Sequence, residues 1–213
     1  MKITVNTKNP YRKWPHVEKY QNTTLRYTPS PDFPKVMEEI IGKPDIIRLF
    51  VTLDEVWDYR TNEYFWDYPI GVNRYIGDEK HYYYDWPLTV PSPVNAHIQE
   101  YLVSHANCSK EVLLNLRRYE RETIDGIITY QQYEDVFKNV VEYYKDLCPN
   151  IVYIECCNEV ELEQFGKLNM KEYYELYKCA YRSITQLNEE HKYERPLKIG
   201  GFGLSHGITH WHY

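Results

Sequence analysis

The residues best suited to chemistry are Asn158 and Glu159, which come directly after the apolar run 151–157. Such a run predicts a buried strand, so the Asn-Glu pair would be delivered at the carboxyl end of that strand. A carboxyl group held there in a partly desolvated pocket keeps its proton at working pH and can act as a general acid/base. The amide before it can bind a hydroxyl group beside the reacting carbon. Asn-Glu is also common in ordinary turns after strands, so the pair alone leaves both interpretations open.

Four helices are predicted between the apolar runs. Two of them are indicated by apolar residues at spacings of three and four, over 133–147 and 173–187. A capping pattern precedes each of these two helices: Thr129 with Gln132 before the first, and Asn169 with Glu172 before the second. Weaker patterns predict helices over 33–41 and 94–105.

Short apolar runs predict five parallel strands, at 3–5, 46–53, 112–116, 151–157 and 197–203. Strands that alternate with helices are typical of an α/β fold with right-handed crossovers, and we expect a single domain over 1–213. In βα architectures the loops after the carboxyl ends of the strands build the site. A long, aromatic-rich loop over 54–93 follows the second strand, which favours a functional role for that loop.

The segment around Glu159 resembles the signature F-E-x-W-N-E-P of family 39 glycoside hydrolases, which belong to clan A of the retaining (β/α)₈ glycosidases and include β-xylosidases and iduronidases. The chain matches the signature at Glu155, Asn158 and Glu159. Two further family patterns are similar, an E-Y-x-x-L-Y helix at 172–177 and a V-G-G strand end at 199–201. The family's R-F-H after an earlier strand is partly matched at 48–50.

Besides Ile154, which stands in the place of the signature's Phe, three departures from the family pattern matter. Cys157 replaces the Trp before Asn-Glu, Val160 replaces the Pro after it, and Phe50 stands where a sugar-contacting His is expected. These differences keep a second interpretation open, in which the protein is a non-catalytic carbohydrate-binding or inactive relative of the barrel enzymes.

The resemblance implies a partial TIM (β/α)₈ barrel of about five strands, in which the run 151–157 is the fourth. It makes Glu159 the general acid/base and Asn158 the residue that binds the hydroxyl next to the anomeric carbon. The family's nucleophilic Glu lies at the end of a seventh strand, which these 213 residues do not include, so we expect the fragment alone to be inactive. The expected substrate is an oligosaccharide or glycoside of xyloside or uronide type. No cofactor or metal is expected, because proton transfer and a covalent intermediate supply the chemistry.

Six further residues are expected to contact the substrate: Arg48, Asp54, Trp57, Trp86, Asn115 and His206. For Arg48, which the resemblance would place near the nucleophile, the alternative is a structural ion pair with Glu155 or Glu120. For Asp54 and Trp57 the alternative is ordinary loop packing. The charged run 117–122 is interpreted as a solvated cluster after the third strand.

The histidines and cysteines have spacings that suggest metal binding only weakly. His206, His210 and His212 lie close together, but their segment has no Asp, Glu or Cys to complete a site, so loop histidines are favoured. Cys156 and Cys157 are adjacent on a predicted strand, and their side chains should point to opposite faces. We therefore expect buried reduced thiols rather than a shared metal site.

Composition limits the classes of partner. A net charge of −6 without a basic tract argues against nucleic acid, and no apolar run is long enough to span a membrane. The 23 Tyr fit either core and rim packing or an aromatic-lined cleft. A partial barrel would expose a sheet edge through which chains could associate. The start has no signal-peptide h-region, which leaves the compartment open and favours the cytoplasm over secretion.

Overall fold

Seven strands and six α-helices make up the part of the chain that the computed structural model describes, residues 20–22, 33–70, 97–201 and 203–205. The strands are β1 (Tyr20–Asn22), β2 (Ile46–Thr52), β3 (Trp57–Asp58), β4 (Glu63–Tyr64), β5 (Glu111–Arg117), β6 (Ile151–Cys156) and β7 (Lys198–Gly200). The helices are α1 (Phe33–Ile41), α2 (Leu53–Val56), α3 (Ile98–Asn107), α4 (Glu120–Ile124), α5 (Tyr130–Leu147) and α6 (Met170–His191). The predicted strand at 3–5, the site candidates Trp86 and His206, and the histidines His210 and His212 lie outside the described residues.

Five strands form one parallel sheet in the order β1-β2-β5-β6-β7. Each connection between neighbouring strands contains at least one helix, so the α/β fold predicted from the alternating pattern is confirmed. The arrangement is consistent with part of an α/β barrel, and β6 is the fourth strand of the sheet. The first strand of the sheet is β1, whose sequence Tyr-Gln-Asn has no apolar signal from which it could be predicted.

The predicted boundaries of the central elements agree closely with the structure. β2, β5 and β6 each begin and end within one residue of the prediction, and α1 has the predicted bounds. β7 is shorter than the predicted 197–203. Both predicted capping boxes are present, because the side chains of Thr129 and Asn169 accept from backbone N–H groups in the first turns of α5 and α6. No helix in these described stretches is both long and apolar enough to cross a membrane.

The sheet has an apolar face and a polar face, since successive side chains on a strand point to opposite sides. The apolar set includes Leu114, Leu116 and Ile154, which belong to the hydrophobic core together with the buried residues of α5 and α6. Alternating with these residues, Asn115 on β5 and Glu155 on β6 lie side by side in register. Burial of the apolar face against the helices therefore fixes which polar side chains point the other way.

The aromatic-rich loop after β2 is held to α5 by stacking. The Trp66 ring lies between Tyr64, at a centroid distance of 4.6 Å, and Tyr143, at 4.2 Å. Tyr144 donates to the backbone oxygen of Trp66 at 2.9 Å. Both faces of the Trp66 ring are covered by protein, so this part of the predicted functional loop is a packing element. The remainder of the loop, 71–93, lies outside the described residues.

Candidate active site at the end of the fourth strand

Arg48 and Glu155 form the ion pair at the centre of the polar face. Arg48 Nε donates to Glu155 Oε2 at 2.6 Å, and the backbone N–H of Gly203 donates to Glu155 Oε1 at 2.9 Å. Both carboxylate oxygens of Glu155 are therefore engaged, one of them by a permanent cation. Of the two partners proposed for Arg48 from the sequence, the structure selects Glu155. This residue serves to hold Arg48 and the chain after β7, and it is poorly placed to exchange a proton with a ligand.

The same guanidinium group fixes the side chain of Asn158. Arg48 donates through one terminal nitrogen to Asn158 Oδ1 at 2.8 Å and through the other to Asn22 Oδ1 at 3.3 Å. The rigid, planar fork of an Arg suits this bridging of three acceptors on β1, β6 and the segment after β6. Because Arg48 binds the Asn158 oxygen, the amide nitrogen is the group that Asn158 can offer to a ligand.

The backbone from Cys157 to Glu159 forms a tight turn after β6. Cys157 and Glu159 have φ values of 67° and 47°, in the left-handed region that side chains other than Gly rarely adopt. The Cys157 N–H donates to Leu116 O at 2.8 Å, and the Glu159 N–H donates to Gly203 O at 3.0 Å. The Asn115 amide donates to Cys157 O at 2.6 Å. The turn is thus bonded on one side to β5 and on the other side to the chain after β7.

Glu159 differs from Glu155 in its surroundings. Glu159 is half-buried, and across the described part of the chain its carboxylate makes no hydrogen bond or ion pair. A carboxyl group in this position is available to a ligand at the carboxyl end of the sheet, whereas the Glu155 carboxyl group is not. The two residues predicted to be catalytic, Asn158 and Glu159, are therefore brought together with Arg48 at one end of the sheet.

The predicted orientation of Cys156 and Cys157 is wrong. β6 ends at Cys156, and the left-handed conformation of Cys157 turns its side chain back, so the two Sγ atoms are only 3.4 Å apart. The Tyr133 hydroxyl lies 3.9 Å and 3.7 Å from these sulfur atoms, and burial raises the pKa of the Cys157 thiol well above its usual range. The expectation of buried, reduced thiols is confirmed. In the described ranges no three His, Cys, Asp or Glu side chains are grouped so as to hold a metal ion.

Phe50 occupies the position where the resemblance implies a sugar-contacting His. Phe50 is 2% exposed, and two guanidinium groups contact its ring, that of Arg48 at 4.4 Å and that of Arg117 at 4.7 Å from the ring centroid. These are cation–π contacts, which are strongest where water is excluded. Phe50 therefore packs against the Arg48 guanidinium group and adds no polar group to the site.

The other described substrate-contact candidates are buried within the protein. Trp57 is 1% exposed, donates to Asn62 Oδ1 at 3.0 Å and packs edge-on against Tyr119 at 5.7 Å. The prediction that Trp57 contacts a ligand is thus replaced by a role in the core. Asp54 is buried in α2, and Asn115 is fully buried against the backbone of the turn. Among the described substrate-contact candidates, only Arg48 makes a contact between side chains with the Asn-Glu pair, through its hydrogen bond to Asn158.

The interpretation of the run 117–122 as a solvated cluster is wrong. Arg118, Glu120 and Glu122 are 4%, 3% and 5% exposed. Burial is the main cause that raises the pKa of Glu122 to about 8, and the nearby carboxylates of Asp54 and Glu120 raise it further. Burial also raises the pKa of Glu120, against the opposing charge of Arg118. A run of charged letters does not reveal that α4 is a short helix folded against the core, so sequence reasoning missed this buried group.

No model of a protein family matches this chain, and no curated protein matches it either. The fold and the geometry around β6 define the protein as an α/β chain with a parallel sheet, helices packed on it, and an Asn-Glu pair presented where β6 ends.

Proposed function

We propose that this protein is a retaining glycoside hydrolase in which Glu159 is the general acid/base. The observation that carries the proposal is the contrast between two carboxylates four positions apart: Glu155 is engaged through both oxygens, and Glu159 is half-buried and unengaged at the end of the fourth strand. A carboxyl group that is paired with a permanent cation is held in its ionised form and is a poor proton donor, which favours the unpaired carboxyl group for the acid/base role.

Asn158 binds the hydroxyl group next to the reacting carbon in this proposal. Arg48 holds the Asn158 oxygen at 2.8 Å, which leaves the amide nitrogen to donate to a hydroxyl oxygen of the sugar. Such a bond strengthens as positive charge develops on the sugar ring in the transition state. Arg48 thus prepares the orientation of Asn158 before the ligand arrives, and this orientation lowers the cost of forming the bond.

The reaction takes place in two steps. Glu159 protonates the departing oxygen while a second carboxylate attacks the anomeric carbon, and Glu159 then takes a proton from the water that releases the sugar. In retaining enzymes the two carboxyl groups are about 5–5.5 Å apart. The resemblance assigns the second carboxylate to a seventh strand, so the five-stranded sheet carries one of the two roles. A xyloside or uronide is the proposed substrate, and the scheme uses no cofactor.

The test compares two Glu→Ala variants of the protein translated from its complete reading frame. Glu159→Ala should lose turnover of aryl xylosides or aryl glucuronides by about a hundredfold or more. Glu163→Ala is the matched control, because Glu163 is exposed in the short 3-10 turn that follows the site. Its turnover should equal that of the wild type. Equal turnover by Glu159→Ala and the wild type would rule out the role given to Glu159.

A second candidate function is sugar binding without catalysis. It is favoured by Phe50, because a buried ring in the place of a sugar-contacting His removes one polar contact from the site. In that case calorimetry would detect binding of oligosaccharides by the wild-type protein, with no release of the aryl group from any aryl glycoside. Measurable turnover that depends on Glu159 excludes this candidate.

A further inference from the structure

Asn115 contacts the backbone of the turn that carries Asn158 and Glu159. It is in the middle of β5, in register with Phe50 on β2 and Glu155 on β6, and it is fully buried. Its amide nitrogen donates to the carbonyl oxygen of Cys157 at 2.6 Å. The contact is made to the backbone two residues before Glu159, across 42 positions of sequence, and not to the space where a ligand would bind.

The turn needs this support because its backbone conformation is unfavourable. A left-handed conformation costs roughly 1–2 kcal/mol for a residue with a side chain, and both Cys157 and Glu159 adopt it. Such conformations persist only where the surrounding structure fixes them. Two of the bonds that fix the turn join backbone groups, to Leu116 and to Gly203. In the described part of the chain, the bond from Asn115 is the one that a side chain donates to the backbone of the turn.

We infer that Asn115 is the positioning residue for Glu159, because its hold on the Cys157 carbonyl sets the direction in which the turn presents the Glu159 carboxyl group. The catalytic meaning of this inference rests on the proposed function, whereas the effect on the turn does not. An aliphatic side chain at this position leaves the Cys157 carbonyl buried without its donor, and a buried unpaired carbonyl is costly. The turn then relaxes toward ordinary backbone angles, which moves Glu159.

The experiment pairs Asn115→Leu with Asn150→Leu, both in the complete protein. Asn150 also donates a side-chain amide bond to a backbone carbonyl, Ala106 O at 2.8 Å, but it lies just before the amino end of β6. Asn115→Leu loses its bond to Cys157 O, and Asn150→Leu loses its bond to Ala106 O and a second one to Ser109 O at 3.3 Å, so both variants should unfold at lower urea concentration. Only Asn115→Leu should speed hydrogen exchange at the amides of Cys157 and Glu159, measured by mass spectrometry of peptides covering the turn. Exchange at these amides that equals the wild-type rate overturns the inference.

The kinetic readout separates positioning from general destabilisation. For Asn115→Leu we expect kcat to fall by about a hundredfold with KM little changed, which is the size of effect that a misplacement of about 1 Å produces. Asn150→Leu should keep the wild-type kcat at a temperature where it is folded. An equal loss of kcat in both variants contradicts a positioning role. If the wild-type protein has no glycosidase activity, the proposed function fails, and the exchange comparison still decides the role of Asn115.

Asn115→Asp supplies a conservative variant with its own signature, and it replaces Asn115→Leu if the latter does not fold. A carboxyl group can donate to the Cys157 carbonyl only while it is protonated. Protection of the Glu159 amide in this variant should therefore be close to that of the wild type at low pH and should be lost as the pH rises. Protection that is independent of pH and equal to that of the wild type overturns the inference, because the turn then needs no donor from this position.

Discussion

Arg48 and Glu155, which are 107 positions apart in the sequence, are joined by a hydrogen bond of 2.6 Å on the polar face of the sheet. Arg48 reaches Asn158 from the same guanidinium group, and Glu155 binds the backbone of Gly203. The ion pair therefore ties together β2, β6 and the chain after β7, and through Arg48 it also holds the Asn158 side chain.

Removal of both members of this pair should cost less free energy of unfolding than the sum of the two single removals. Arg48→Met leaves the mostly buried Glu155 carboxylate without its cation, and we expect the free energy of unfolding to fall by about 3 kcal/mol. The double variant Arg48→Met with Glu155→Gln should lose clearly less than the sum of the two single variants, as measured by urea unfolding. Lys178→Met, which removes an exposed pair with Glu175, is the control and should lose less than about 1 kcal/mol. Strict additivity of the two single changes would show that the pair is not coupled.

Because burial raises the pKa of the Glu122 carboxyl group, we expect the protein to lose stability as the pH rises from about 4.5 to about 8. Its pKa is raised from 4.5 to about 8 in the folded protein. Between these pH values the folded protein keeps a proton that the unfolded chain releases, so the free energy of unfolding falls as the pH rises, by up to about 1.4 kcal/mol per pH unit. This contribution is fully present below pH 4.5 and is lost as the pH passes 8.

Glu122→Gln should flatten this dependence, because an amide cannot release the proton. We expect the variant to equal the wild type at about pH 4 and below and to exceed it in stability near pH 8, as measured by thermal or urea unfolding across this range. Glu163→Gln, at an exposed position, should follow the wild-type curve. A Glu122→Gln curve that runs parallel to that of the wild type would mean that Glu122 is ionised in the folded protein.

Local sequence patterns predict most of the helices and strands, but they do not predict which distant residues contact each other in the fold. Apolar runs and capping patterns predicted β2, β5, β6, α5 and α6 because these signals are local in the chain. The polar strand β1 carries no such signal. The hydrogen bond from Asn115 to Cys157 spans 42 positions and depends on a left-handed residue, which no periodicity indicates.

The same limit explains the errors at single residues. The alternation of a strand predicts that Cys156 and Cys157 point to opposite faces, but the strand ends between them. The position of Trp57 after β2 predicts a ligand contact, but Trp57 is buried and packs against Tyr119, which is 62 positions away. Local spacing places a residue at the end of a strand, whereas distant residues decide whether it faces a ligand or the core.

The two adjacent thiols should be unreactive in the folded protein. Cys156 and Cys157 are fully buried, and burial raises the pKa of the Cys157 thiol, so the reactive thiolate is scarce. We expect a disulfide reagent such as Ellman's to modify these two residues only as fast as the protein unfolds, and to titrate all five cysteines of the chain in denaturant. Peptide mapping identifies which residues react. Rapid modification of either residue under native conditions would contradict the packing around Tyr133.

The role of Glu159 is tested most directly by the dependence of Glu159→Ala turnover on the leaving group, in the protein translated from its complete reading frame. With Glu159 as the acid/base, the variant should lose most activity on glycosides whose leaving group needs a proton, and least on a dinitrophenyl glycoside, which needs none. Sodium azide should accelerate the dinitrophenyl reaction and yield a glycosyl azide, because the anion replaces water that Glu159 no longer activates. An equal loss on all leaving groups, with no azide product, would contradict the account.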